Sequence, residues 1–180
     1  SLLMAPEGIP LSLVDGNPLL GLLLRPFASA LPVGLQYLGW WLLACILLHT
    51  AFAAALLRRF TPNPLATWIG AALLTLMPVL LARFGHVNLC AQWLILWALW
   101  VYVDPRRAAH PGWWAAVVVT ALLIHPYILV MVIAIWGSAV LRQFALAPDA
   151  RARLALVGDI GIVAAPMLLV SEGVTTMRAT

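Results

Sequence analysis

The chain has 180 residues, 64% of them hydrophobic and 9% charged, with a mean hydropathy of +1.04. Soluble domains average about 45–50% apolar and about 25% charged residues, and small ones keep much of their surface in water. That excludes a soluble enzyme, a disordered tail, a disulfide scaffold and a fibre, and it predicts an all-α, polytopic transmembrane helix bundle. The formal charge of +4 comes from ten arginines, with no lysine, against six acids. In a soluble protein such a balance would favour nucleic acid; here the arginines sit in short loops between apolar runs and read as topology signals, so no nucleic-acid partner is expected. Cys45 and Cys90 lie in apolar stretches and read as small packing residues.

The opening, SLLMAPEGIPLSLVDGNP, has no initiator Met, charged leader or cleavage signal. It reads as a loop entered from something upstream, so the 180 residues are expected to be one membrane domain of a longer protein. Residues 1–34 are predicted to form an extracytoplasmic loop. Within it, Pro18–Arg25 is too short to cross and should lie in the interface, with Asn17 as N-cap and Pro18 in the first turn.

A spanning helix needs about 20 apolar residues. Residues 35–57 qualify, with Tyr37, Trp40 and Trp41 at one end and Arg58-Arg59 at the other. Residues 65–82, kinked by Pro78 and stopped by Arg83, come next, then 87–103, closed by Asp104–Arg107. The run from Trp113 to Leu141 is long for one helix and short for two, and His125-Pro126-Tyr127 interrupts it. With a turn there, Arg58, Arg59, Arg106, Arg107, Arg142, Arg151 and Arg153 share one side, against Arg25, Arg83 and Arg178. A continuous helix would split the ten arginines five and five. The positive-inside rule therefore selects a short broken-helix hairpin, 113–124 and 127–141, followed by 154–170. About six membrane segments result.

Polar groups in or beside a membrane are costly, so each asks for an explanation. This topology puts Asp15, Arg83, His86 and His125 on the outer side, each at a loop or helix end. Asp15, in VDGNP, is either a turn former or a general base at the membrane surface, with Glu7 a weaker second. Arg83, in RFGH, either snorkels to headgroups or awaits an anion such as phosphate, with Gly85 allowing close approach. His86 either donates to the same anion or caps the next helix, and Asn88 and Gln92 continue the polar face. His125 either satisfies a turn or joins them. Two histidines and an aspartate leave a divalent metal open, but no HxH or HxxxH spacing supports one, and no metal ligand is assigned. Trp93, Trp97 and Trp100 form a one-face stripe for packing or lipid, or for a sugar or prenyl chain. His49 and Asp159 should face the protein interior, and Arg106-Arg107 with Arg142, Arg151 and Arg153 should anchor to anionic lipid.

Three ordered stretches, SLVDGNPLLGLLLRPFASALPVGLQYLGWW, LARFGHVNLCAQWLILWALWVYV and LLIHPYILVMV, carry a resemblance. Together they make the chain similar, over roughly Pro6 to Leu141, to an uncharacterised family of bacterial polytopic membrane proteins. That family resembles the GT-C-type, lipid-linked-sugar glycosyltransferases. The resemblance implies a site at the outer face of the bacterial inner membrane and a polyprenyl-phosphate sugar as donor. It also implies Asp15 as the loop acid, with Arg83, His86 and His125 facing the phosphate. The span that should precede the loop and a C-terminal outer domain are expected outside these 180 residues, so the fragment alone is expected to be inactive. The competing readings are a transporter or flippase for a lipid-linked or anionic solute, and a non-catalytic scaffold of envelope assembly. Sugar, acceptor and oligomeric state are not legible.

Overall fold

A computed structural model describes residues 17–27, 29, 30, 32, 36–83 and 85–176. Glu7 and Asp15 lie outside them. Nine α-helices occur among the described residues, and no strand. Five of them begin alike, with Asn, Asp or His followed by Pro: α1 (Pro18–Leu24), α3 (Pro64–Thr75), α6 (Pro105–Ala108), α7 (Pro111–Ile124) and α8 (Pro126–Leu146). The physical reason is shared. Proline fixes φ where its missing N–H costs nothing, and the preceding side chain accepts from a backbone N–H two or three residues on. Asn17 accepts from Leu20, Asn63 from Leu65 and Ala66, Asp104 from Arg106, His110 from Gly112 and His125 from Tyr127.

Among the described residues, three helices are long and apolar enough to cross a membrane: α2 (Leu38–Leu57), α8, and the Ala150–Leu169 part of α9 (Ala150–Thr176). Six spans were expected, so three of those expectations need correction. The 65–82 segment breaks after Thr75: Met77, held extended before Pro78, separates α3 from the four-residue α4 (Pro78–Leu81). The 87–103 segment opens with a 3-10 turn at Val87–Cys90 and leaves only ten residues for α5 (Trp93–Tyr102). Helix α7 has 14 residues and reaches about 21 Å at about 1.5 Å per residue, short of a hydrocarbon core of about 30 Å. Its partner in the hairpin is not short: α8 continues through Arg142 to Leu146, because a charge ends membrane burial without ending a helix.

Side-chain bonds fix the topology. The Arg59–Asp104 ion pair ties the end of α2 to the end of α5. At the other end of α2, Trp41 Nε1 donates to the Val87 carbonyl at 3.0 Å. Gln143 Nε2, near the end of α8, donates at 2.6 Å to the Ala108 carbonyl, just before α7. The chain therefore reverses at His125, and Arg58, Arg59, Arg106, Arg107 and Arg142 share one end of the bundle. The Val87–Cys90 turn and His125 lie at the opposite end. Helix α1 belongs there too, since Asn17 Nδ2 donates to Asn88 Oδ1 at 3.0 Å and α1 contacts α7.

The core joins α2, α5, α7 and α8 through fully buried residues such as Cys45, Leu94, Val101, Val117, Ala121, Ile124 and Val132. Cys45 and Cys90 are both buried in this cluster, and neither is in a disulfide among the described residues. Large apolar side chains such as Leu47, Leu73, Val130 and Leu141 are exposed, a surface suited to lipid. The tryptophan stripe of α5 packs against α2. Phe52 stacks on Trp93 and Trp97 with centroids 5.9 and 5.5 Å apart, and meets Trp100 edge-on. Arg107 caps that stack, its Cζ 3.4 Å from the Trp100 ring centroid, and pairs with Asp104 at 3.4 Å. The Arg107 guanidinium is thus turned onto the protein.

Candidate functional site

The end opposite the arginines collects most of the polar groups singled out in the sequence, and it sorts them. Arg83 and His86 are exposed, in the loop between α4 and the Val87–Cys90 turn. That loop is held from beneath. The His86 N–H donates to the Arg83 carbonyl at 2.8 Å, and Cys90 Sγ donates to the same carbonyl at 3.4 Å. These bonds hold the Arg83 and His86 backbone while both side chains stay exposed. Arg83 forms no ion pair among the described residues. His86 precedes the 3-10 turn but its ring makes no cap bond, so the capping alternative does not hold for it. Gly85 has open space where a Cβ would stand.

Asn88 is different. It is 1% exposed, and its Oδ1 accepts from Asn17, so it clasps the α1 entrance to the bundle instead of lining a surface. No local sequence pattern announces this clasp, because 71 residues separate its partners. Gln92 is half-buried at the N-cap position of α5. His125 does the capping job that remained open for it, accepting from the Tyr127 N–H at 3.2 Å and stacking on the Tyr127 ring. His110 caps α7 in the same way at the arginine-rich end, so capping accounts for one nitrogen of His125 without assigning it chemistry.

Inside the bundle, His49 is 5% exposed, as its position in an apolar helix demands. Beside it the Thr50 and Thr75 hydroxyls bond at 3.0 Å across α2 and α3. Asp159 is half-buried and lines a cavity between α7, α8 and α9. No group of three or more His, Cys, Asp or Glu able to hold a metal ion occurs among the described residues.

The fold and this asymmetric distribution of charge define a helical membrane protein with one arginine-rich end and a sparser polar opposite end. The chain belongs to the family described as a domain of unknown function (DUF6311), whose model matches residues 1–179. No curated protein and no solved structure matches it.

Proposed function

We propose that the end carrying Arg83 and His86 binds the phosphate of a polyprenyl-phosphate sugar at the outer face of a bacterial inner membrane, and that the protein transfers this sugar to an envelope acceptor. The observation that carries the reading is Arg83: an exposed guanidinium, unpaired among the described residues, on a backbone fixed by two hydrogen bonds at the arginine-poor end. The positive-inside rule supports placing the opposite, arginine-rich end in the cytoplasm.

In this reading the acceptor hydroxyl attacks the anomeric carbon and the bond from that carbon to the phosphate oxygen breaks. Asp15 takes the hydroxyl proton. The departing lipid phosphate gains negative charge, which Arg83 and His86 stabilise where little water competes. His125 holds the start of α8 at the same end through its Nδ1.

Titrating the purified protein with polyprenyl phosphate tests this. Bidentate recognition needs the planar fork of arginine, which an ammonium cannot reproduce. Arg83→Lys is therefore expected to weaken binding by about 1.5–3 kcal/mol, roughly one to two decades in affinity, and Arg83→Ala by more. Equal affinity of wild type and Arg83→Lys would reduce Arg83 to a membrane anchor.

A further inference from the structure

Helix α2 and the Val87–Tyr102 segment run side by side in the same direction, and their register is fixed at both ends. Trp41 bonds to Val87, 46 residues on, and Arg59 pairs with Asp104, 45 residues on. Between them Phe52 stacks on Trp97 at the same spacing. That register sets Cys45 opposite Cys90. Cys45 belongs to the buried stripe of α2, one turn after Trp41 and one before His49, and Cys90 stands one turn beyond Val87. Both are 1% exposed and share one core cluster, and the sulfurs are near enough for a charge on Cys90 to act on Cys45. The Cys90 thiol has a second task, since its S–H donates to the Arg83 carbonyl at 3.4 Å.

We propose that Cys45 and Cys90 form a redox pair at the outer end of the bundle, and that closing it to a disulfide loosens the Arg83 loop. The thiols lie towards the arginine-poor end, which the positive-inside rule sets on the oxidising side of the membrane. Cys90 reacts first, because it ends a four-residue 3-10 turn behind an exposed loop, while Cys45 sits inside a 20-residue helix. When the turn opens, the Cys90 thiolate attacks a small disulfide, forms a mixed disulfide and expels one thiol. As the turn closes, the Cys45 sulfur attacks Cys90 and expels the second thiol. Two protons and two electrons pass from the pair to the donor, whose disulfide becomes two thiols. The product has no S–H, so the Arg83 carbonyl loses one of the two donors that hold it. The effect on anion binding rests on the phosphate reading; the pairing of the thiols does not.

The test uses the purified full-length protein, first reduced, then held with oxidised glutathione and acid-quenched, with the Cys45 and Cys90 peptides mapped by mass. Wild type is expected to give a cross-linked Cys45–Cys90 peptide, and Cys45→Ala to stop with glutathione on Cys90. Affinity for polyprenyl phosphate should fall about two- to tenfold on oxidation, the effect of one lost hydrogen bond, and return on reduction. Cys90→Ser keeps a donor and should hold its affinity under both conditions. Two thiols, or glutathione on both cysteines, in wild type after a treatment that oxidises the unfolded protein completely would overturn the pair. A cross-link with unaltered phosphate affinity overturns the switch. Wild type that cross-links but binds no polyprenyl phosphate in either state supports the pair and overturns the phosphate reading on which the switch rests.

Discussion

In the full-length protein, replacing Asp15 with asparagine is expected to lower sugar transfer about 10²–10⁴-fold, the usual loss when a general base is removed. Donor affinity and the yield of folded protein should stay at wild-type values. The contrast rests on chemistry. Asparagine matches aspartate in size and keeps the backbone-bonding turn that VDGNP favours, but its amide cannot accept the acceptor's proton. Asp15 stands two residues before Asn17, whose side chain is bonded to Asn88 at the same end as Arg83 and His86. Release of sugar from a panel of polyprenyl-phosphate hexoses, measured alongside donor binding, separates the two roles. Full activity in Asp15→Asn, or loss of folded protein instead of turnover, would leave Asp15 a turn former.

The second large effect is expected on stability, at the arginine-rich end. Asp104 accepts the N–H of Arg106 as the α6 cap at 3.0 Å and is the acid between Arg59 and Arg107. Burial, and secondarily the neighbouring Arg59, push the Arg107 guanidinium below its ordinary value, so the two cations oppose each other once the acid is gone. Asp104→Ala loses a cap worth about 1 kcal/mol and two ion pairs. Arg59 is half in solvent and its pair counts for less than about 1 kcal/mol, while the pair to the more enclosed Arg107 counts for somewhat more. A total near 2–3 kcal/mol is expected. Asp104→Asn keeps the cap and should lose about half as much. Thermal unfolding in one detergent should rank wild type above Asp104→Asn above Asp104→Ala; identical loss in both variants would remove the cap from this explanation, and no loss in either would remove the ion pairs.

Helix starts were legible because they depend on neighbours in sequence. Asn17-Pro18 announced α1, and the same logic, applied to Asn63-Pro64, Asp104-Pro105 and His110-Pro111, would have placed α3, α6 and α7 to the residue. The reversal at His125 was legible from the arginine distribution, a property of the whole chain. Lengths were not. A charge in the sequence suggests a helix end, yet α8 runs through Arg142 and α9 carries Arg151 and Arg153, because arginine is a good helix former whose stem reaches along the helix to water. Pro78 suggests a kink, but it takes away a backbone donor and crowds the carbonyl of Leu74, and the helix breaks there. At the candidate site, the exposure of Arg83 and His86 agrees with loop positions in the sequence. The clasp of Asn88 and the Cys90 bond that fixes the Arg83 loop depend on tertiary partners, which no window of sequence contains.

Labelling of single introduced cysteines in intact cells tests the placement of Arg83, His86 and His125 on one membrane face most directly. Cys45 and Cys90 are each 1% exposed and should give little background. A membrane-impermeant maleimide is expected to label Gly85→Cys, in the Arg83 loop, and Tyr127→Cys, beside His125 and 70% exposed, from the outer side. Ala145→Cys, near the end of α8, should react only after the membrane is opened. Labelling of Gly85→Cys and Tyr127→Cys from opposite sides, or of Ala145→Cys from outside, would contradict the hairpin and separate the groups proposed to meet one phosphate.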